Sequence, residues 1–461
     1  MKNSTINFNH QFGDVRIEKR ANKLHGLLSK HQNVSINRIS ENWVDAVGNY
    51  RLLENTKVSR EGIISGLTEA CGRTAQTGHA LLLQDTTQPN YERHRGRIKN
   101  GSGLGLIGDD KSLGYFLHPT LVLDAEQGTC LGYSDIITWI REEGREKIID
   151  KEKRKAQAIE VKESYRWLES IEQSRNRLQF CDRFTAIADR EGDIYELFAR
   201  IPDQRTDLLI RSRENRKIKE GKLFNYLSSQ PSAGEYEIEI RGDKRTNIAK
   251  RIARIEIRFT RVTLLKPARR KEDKNPPYVE LYAVEAREKP ETVPQGEEAV
   301  HWRILTTHGV NNFNMAVQVV KWYKLRWFIE QLFRVLKTDG FNIESSELEN
   351  GESIIKIGIF AMGAALKVMQ LLLASKGEYT QPIDEVFSKK EQEFLQAIST
   401  KYEGKTEKQK NPNKVRTLKW AAWIIARIGG WKGYNKQRPP GPITFFIGID
   451  KFHTMYIGWN I

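Results

Sequence analysis

The chain has 461 residues, of which 39% are hydrophobic and 29% are charged. This composition can build large hydrophobic cores, and it excludes an intrinsically disordered protein. Lysine and arginine outnumber aspartate and glutamate by 75 to 59, so the formal net charge is +16. Net charge informs about partners rather than about the fold, and this excess favours a polyanion as the partner.

The cysteine pattern and the apolar segments exclude two further classes of protein. The three cysteines are far apart and form no C-x-x-C pair, which argues against a zinc finger and favours a reducing intracellular environment. The first residues, MKNSTINFNHQFGD, contain no apolar segment of a secretory signal. The most apolar run, IIKIGIFAMGAALKVMQLLL, contains Lys356 and Lys367. Its uninterrupted apolar part is about half of the ~20 residues that a membrane span needs, so we predict a buried helix and no membrane association.

Residues 1–75 are predicted to form a helical domain. Apolar residues recur at helical spacing in EKRANKLHGLLSKH and ENWVDAVGNYRLLEN, and basic residues stand between them. A small helical DNA-binding domain would fit this pattern. A plain helical packing domain is the alternative that this stretch leaves open.

Residues 76–235 are predicted to form the first part of an α/β core. HALLLQD, YFLHPTLVLD, TCLGYSDIITW, RFTAIAD and DLLIRSR each indicate a buried strand, and KAQAIEVKESYRWLESIEQ indicates a helix. Strands that alternate with a helix in this way are typical of a mixed sheet.

The remaining chain divides into three predicted regions. Residues 236–311 favour an all-β insertion, because YEIEI and RIEIRF alternate with a period of two and YVELYAVEA follows them. Residues 312–375 return to helices and are predicted to complete the core. Residues 376–461 are predicted to be a C-terminal helical region and a candidate for dimerisation.

One predicted helix, YKLRWFIEQLFRVLK, carries a polar stripe among bulky apolar residues. Tyr323, Arg326, Glu330 and Lys337 fall within about a sixth of the helix circumference, over a length of ~21 Å. Taken alone, the stripe could be a solvated helix face with an ion pair between Arg326 and Glu330. The same length also suits several phosphates of a nucleic acid.

Two further acids follow buried strands and could act together with Glu330. Asp85 ends the apolar part of LLLQDTTQPNY, and Asp189 does so in TAIADREGD. Each acid taken singly could be a turn former or a helix cap. Two-metal enzymes that act on nucleic acids need carboxylates that converge from different segments of the chain, because Mg²⁺ prefers oxygen ligands.

The spacing Y-x2-R-x3-E-x6-K resembles the signature of the bacterial transposases of the insertion-sequence-four family, the group that includes the transposon-five enzyme. The contexts DTT and DREGD resemble those of the first and second acids in the Asp–Asp–Glu triad of that family. The resemblance implies a ribonuclease-H-like mixed sheet, interrupted by the all-β insertion and flanked by helical N- and C-terminal domains.

The resemblance also implies roles for individual residues. Asp85, Asp189 and Glu330 would be the catalytic acids and would bind two Mg²⁺ ions, with Mn²⁺ as an alternative. One ion would activate water or a 3′-hydroxyl, and the other would stabilise the leaving oxygen. Trp302 lies where the family has an aromatic residue that stacks on a flipped base. DNA contacts are implied for Tyr323, Arg326, Lys337, Trp302, Arg211, Arg213 and Arg334.

The implied activity is cut-and-paste transposition. The protein would bind inverted terminal repeats, cleave DNA through hairpin intermediates and join the 3′ ends to target DNA. Its partners would be double-stranded DNA and a second copy of the chain, in the bacterial cytoplasm at the nucleoid. A structure-selective nuclease of the same fold and a non-catalytic DNA-binding regulator are the alternatives.

Overall fold

The computed structural model describes residues 6–76, 78–108, 111–141, 157–240, 250–268, 274–337, 339–377, 379, 381–433 and 438–459. Its α-helices are α1 (Val15–His31), α2 (Ile36–Ile39), α3 (Trp43–Glu54), α4 (Arg60–Thr74), α5 (Arg166–Arg177), α6 (Tyr195–Arg200), α7 (Leu223–Ser228), α8 (Phe313–Leu325), α9 (Trp327–Leu336), α10 (Gly351–Lys376), α11 (Lys389–Ser399), α12 (Leu418–Ile428) and α13 (Pro442–Trp459). Its strands are β1 (His79–Gln84), β2 (Gly105–Leu106), β3 (Leu113–Gly114), β4 (Phe116–Asp124), β5 (Cys130–Trp139), β6 (Arg183–Ala188), β7 (Thr206–Arg211), β8 (Lys217–Ile218), β9 (Gly221–Lys222), β10 (Gly234–Ile240), β11 (Arg251–Leu265), β12 (Tyr278–Glu288) and β13 (His301–Thr306).

A mixed sheet forms the centre of the molecule. Its first part has the order β5-β4-β1-β6-β7, in which β4 is antiparallel to both β5 and β1. Strands β1, β6 and β7 run parallel to one another. This order, together with the helices on the N- and C-terminal sides of the sheet strands, is consistent with the predicted ribonuclease-H-like mixed sheet.

Both faces of this part of the sheet are buried, which explains why its strands are almost continuously apolar. Alternate residues of β1 point to opposite faces: Leu81 and Leu83 belong to one hydrophobic core, while Ala80 and Leu82 belong to the other. Helix α5 covers the second face with Trp167, which is fully buried. The helical layer around α10 covers the first face.

The strands between residues 234 and 306 continue the same sheet. β13 pairs with β7, β12 with β13, and β11 with β12, all antiparallel. β10, the strand predicted from the alternation in YEIEI, pairs with β11. The β-strands of this region are therefore confirmed, whereas its interpretation as an insertion into the core remains a prediction.

Helix α10 is the core of the helical layer. It packs against α1, α3 and α4 of the N-terminal region, against α9, and against α12 and α13 of the C-terminal region. Within the described residues it is the one helix that is long and apolar enough to cross a membrane, but 89% of its apolar window is buried in the protein. The predicted buried helix is thus confirmed. Lys356 lies on it and donates to the carbonyl oxygens of Leu53 and Asn55, both at 3.1 Å, at the end of α3.

Two predictions about helix boundaries are wrong. The helix predicted to begin at KAQAIEV starts only at Arg166; two 3₁₀ turns, Ile159–Val161 and Glu163–Tyr165, precede it, and residues 155 and 156 lie outside the described part. The polar stripe does not lie on one helix either. Helix α8 ends at Leu325, α9 begins at Trp327, and Lys337 follows the end of α9.

The break at Arg326 has a packing explanation. Helix α8 packs on β7, β11 and β12, whereas α9 packs on α10 and α13. The two helices therefore pack on different layers of the molecule, and the helical run is interrupted between them. At the break, the Arg326 N–H donates to the carbonyl of Tyr323 at 3.0 Å, three residues back, so the chain tightens there.

Candidate active site

Asp85 and Asp189 lie at equivalent positions on neighbouring parallel strands. Leu83 of β1 is paired with Ile187 of β6, and each acid comes two residues after its paired residue. Adjacent strands are about 4.8 Å apart, and the carboxyl ends of parallel strands meet at one edge of the sheet. The fold therefore brings together two acids that are more than 100 residues apart in the sequence.

The third acid reaches the same edge from the helical layer. Arg326 donates from Nη1 to Asp85 Oδ2 at 2.7 Å, and from Nη2 to Glu330 Oε1. One guanidinium thus links the first and third acids. The side chains of Asp85 and Arg326 are largely buried, with exposed fractions of 18% and 15%, whereas Glu330 is half-exposed.

The electrostatics of Asp85 reflect this crowding of acids. Burial raises the pKa of Asp85 to about 6, and the carboxylates of Asp189 and Glu330 contribute to the rise. The Arg326 guanidinium opposes the effect. The Arg326 guanidinium therefore compensates the negative charge around Asp85 only in part.

The donor set suits a hard divalent cation, although the side chains as placed do not form a closed cage. Carboxylate oxygens are the ligands that Mg²⁺ prefers, and incomplete charge compensation favours the binding of another cation. Within the residues that the structure describes, no three His, Cys, Asp or Glu side chains converge closely enough to hold a metal ion. The Arg326 guanidinium lies between Asp85 and Glu330 and pairs with both of them.

Several of the predicted DNA-contacting residues lie at the same edge of the sheet. Arg211 is the last residue of β7 and donates to the carbonyl of His301 at 3.3 Å. Trp302, near the start of β13, contacts the ring of Tyr323 edge-on, with 6.1 Å between ring centroids. Tyr323 itself is buried, with 5% of its surface exposed.

The other three predicted DNA-contacting side chains differ in their partners and in their exposure. Lys337 donates from Nζ to the carbonyl of Gln88 at 3.2 Å, in the loop that follows Asp85. Arg334 pairs with Asp339 at 3.0 Å on the exposed side of α9. Arg213 is 64% exposed and has an ion pair with Glu214 at 3.4 Å.

Sequence reasoning missed a group of side chains just behind the acids. Arg166, at the start of α5, donates to the hydroxyl of Thr86 at 3.1 Å and to Glu191 at 2.9 Å. The Thr86 hydroxyl also lies 2.9 Å from Nδ1 of the buried His118. Burial lowers the pKa of His118 well below its ordinary value. The sequence spacing could not have predicted these contacts, because they join residues that are distant in the chain.

Comparison with known families agrees with these features. Residues 7–58, which contain α1 to α3, match the family model described as Transposase DNA-binding. Residues 160–364, which contain Asp189 and Glu330, match the one described as Transposase DDE domain. The two matches support a DDE transposase that binds DNA. The second match begins after β5 and so does not include Asp85.

Proposed function

We propose that the chain is a cut-and-paste DNA transposase whose catalytic acids are Asp85, Asp189 and Glu330. The observation that supports the proposal is that Asp85 and Asp189 follow neighbouring parallel strands at one edge of the sheet, and that Arg326 pairs with both Asp85 and Glu330. The full spacing Y-x2-R-x3-E-x6-K supports the narrower placement in the insertion-sequence-four family. The protein would act in the bacterial cytoplasm, at the nucleoid.

The three acids would hold two Mg²⁺ ions, or Mn²⁺ in their place. When bound, such ions activate a water or a 3′-hydroxyl and stabilise the leaving 3′-oxygen of DNA. Binding at both Asp85 and Glu330 requires the Arg326 guanidinium to leave at least one of them. A DNA phosphate is a suitable new partner for this arginine, because guanidinium groups bind phosphate oxygens in a bidentate manner.

The remaining predicted contacts form the proposed DNA surface. Lys337, Arg211, Arg213 and Arg334 would bind phosphates. Lys337 contacts the loop that follows Asp85, Arg211 ends β7, and Arg213 and Arg334 are exposed. Trp302 would stack on a base that is extruded during hairpin formation, which can offset part of the few kcal/mol that unstacking costs. For the Trp302 ring to stack on a base, its edge-on contact with Tyr323 would have to be broken.

The domain roles follow from these assignments. Residues 1–75 would bind the transposon ends, residues 76–235 and 312–375 would form the catalytic core around the strands 236–311, and residues 376–461 would contribute to a homodimer on DNA. The protein would cleave the inverted terminal repeats through hairpins and join the 3′ ends to target DNA.

The direct test of the active site is Glu330→Gln in the full chain, with Mg²⁺ and a duplex that contains a transposon end. We expect cleavage to fall by at least about 10³-fold, because the variant keeps the shape of the side chain but loses an ionised metal ligand. The matched control is Glu349→Gln, since Glu349 is similarly exposed and pairs with Lys99 in a loop outside the site. Cleavage by Glu330→Gln at the wild-type rate would exclude the assignment.

A second assay separates the proposal from its alternatives. With a supercoiled target plasmid, a transposase gives joined products that carry a duplication of the target site, whereas a structure-selective nuclease gives only cut DNA. A non-catalytic regulator would protect the ends in footprinting and would cut nothing in the presence of the metal. Sequencing the DNA that flanks the gene for short inverted repeats would supply the substrate.

A further inference from the structure

The two strand-end acids are each oriented by the turn that follows them. The backbone N–H of Thr86 donates to Asp85 Oδ1 at 2.8 Å. The backbone N–H of Glu191 donates to Asp189 Oδ1, also at 2.8 Å. The conformation of each turn therefore fixes the direction of its carboxylate.

The side chains of the same two residues meet at Arg166. Its Nε donates to the Thr86 hydroxyl at 3.1 Å, and its Nη2 donates to Glu191 Oε2 at 2.9 Å. Arg166 is thus linked to the turn after β1 and to the turn after β6 through one planar group. The path runs from Asp85 through Thr86, Arg166 and Glu191 to Asp189.

Arg166 is itself held in place. Its Nη1 donates to the carbonyl of Glu163 at 3.0 Å, and its guanidinium carbon lies 5.2 Å from the ring centroids of both Trp139 and Trp167. Only 11% of the side chain is exposed. A guanidinium with aromatic rings at this distance and with three hydrogen bonds has little freedom to rotate.

The hydroxyl of Thr86 extends the arrangement to His118. The oxygen accepts from Arg166 and also lies 2.9 Å from His118 Nδ1, within hydrogen-bond distance. His118 is fully buried, and its ring packs edge-on against Trp167 at 4.6 Å between centroids. The Thr86 side of the link is therefore anchored in the core beneath α5.

We propose that Arg166 is a positioning residue that sets the separation and orientation of Asp85 and Asp189. The inference rests on the proposed function, because it gives Arg166 a role through the two acids and no contact with DNA or metal. Lysine could not replace it, since one ammonium group lacks the fork that reaches Thr86 and Glu191 in one plane.

The test is binding of Mn²⁺ to the full-length protein, measured by the loss of the free-ion signal in electron paramagnetic resonance. We expect Arg166→Lys to weaken binding by about 10- to 100-fold, as is typical when a residue that orients metal ligands is changed. The control is Arg177→Lys on the same helix. Arg177 pairs with the buried Asp135 and with the carbonyl of Ser134, away from the acids, so its substitution should leave Mn²⁺ binding unchanged.

Two milder variants keep the proposal testable if Arg166→Lys fails to fold. Glu191 is 61% exposed, so Glu191→Gln should fold normally, and Thr86→Val preserves the shape of a partly buried side chain. We expect each of them to weaken Mn²⁺ binding several-fold with melting temperatures close to that of the wild type. Wild-type binding in both variants would overturn the proposal.

Asp85→Asn distinguishes failure of the positioning role from failure of the proposed function. Loss of Mn²⁺ binding in Asp85→Asn, together with weakened binding in Arg166→Lys, supports both assignments. Loss in Asp85→Asn with wild-type affinity in folded Arg166→Lys overturns the positioning role alone. Normal binding in Asp85→Asn would exclude the proposed metal site, and the positioning role of Arg166 would be excluded as well.

Discussion

Two acidic side chains of the central sheet, Asp85 and Glu285, have opposite electrostatic surroundings. Asp85 follows β1, its arginine partner Arg326 is also paired with Glu330, and the carboxylates of Asp189 and Glu330 act on it electrostatically. Glu285, on β12, has an exposed fraction of zero and is surrounded by bases: His301 at 2.8 Å, Arg303 at 3.0 Å and Arg258 at 3.6 Å.

The pKa values of the two carboxyl groups diverge accordingly. Burial raises the pKa of Asp85 from 3.8 to about 6. Burial would also raise the pKa of Glu285, but the hydrogen bonds from His301 and Arg303 lower it from 4.5 to about 2. The strands between residues 234 and 306, which we call the strand extension, thus pair the buried charge of Glu285 internally. The edge of the sheet at Asp85 keeps negative charge that an external cation could compensate.

The largest expected difference between the two regions is in activity. We expect Asp85→Asn to reduce Mg²⁺-dependent cleavage of an end-containing duplex by at least about 10³-fold, because it removes a charged metal ligand. Glu285→Gln should retain cleavage within a few-fold, per folded molecule. Gel assays of cleavage, corrected for the folded fraction by circular dichroism, check both variants. Equal activity of the two variants would contradict the functional distinction.

The second expected difference is in stability. Glu285→Gln should lower the free energy of unfolding by about 3 kcal/mol, since it leaves buried bases without their common partner. Asp85→Asn should cost clearly less, because Arg326 keeps its contact with Glu330. Urea unfolding at pH 7 with EDTA measures both changes. A larger loss in Asp85→Asn than in Glu285→Gln would show that the comparison is wrong.

The third difference is in the pH dependence of stability. The contributions of Glu285 and Asp85 change in opposite directions as the pH rises. The stability that Glu285 contributes is present above about pH 4.5 and is lost as the pH falls towards 2. The stability that Asp85 contributes is present below about pH 3.8 and is lost as the pH rises through about 6. Each contribution is at most about 3 kcal/mol.

Unfolding curves in EDTA between pH 3 and pH 7 test these signs. Relative to the wild type, Asp85→Asn should gain stability as the pH rises from 4 to 7, whereas Glu285→Gln should lose less stability than the wild type as the pH falls from 5 to 3. Parallel pH profiles of the wild type and Asp85→Asn would contradict the raised pKa of Asp85.

The smallest expected effect concerns the exposed arginines of the two regions. Neutralising about eight phosphates gives a slope near −7 for log K against log salt, and Arg213→Ala should reduce the magnitude of this slope by about 1. The matched control is Arg254→Ala on β11, because Arg254 is also exposed and pairs with Glu235 at 2.7 Å within the strand extension. Fluorescence anisotropy with a duplex at several salt concentrations measures both slopes. An equal decrease in the magnitude of the slope for Arg254→Ala would show that the DNA surface also includes the strand extension.

The sequence by itself predicted most of the strands and helices, and it supplied the hypothesis that Asp85, Asp189 and Glu330 are the catalytic acids. Strands such as β1 and β6 are recognisable because they are buried on both faces and are therefore continuously apolar. An acid that follows each strand stands out against that background, and the spacing around Glu330 points to a family. The excess of basic residues alone favours a polyanionic partner, because net charge acts at long range whatever the fold.

Only the tertiary structure decided how the acids are arranged. The break at Arg326 depends on α8 packing against strands and α9 against helices, which the local sequence does not contain. The link through Arg166 depends on contacts across 80 and 25 residues of chain, and such contacts leave no periodic signal. Local patterns report which residues are buried, but the partner of a buried charge is chosen by the packing of distant segments.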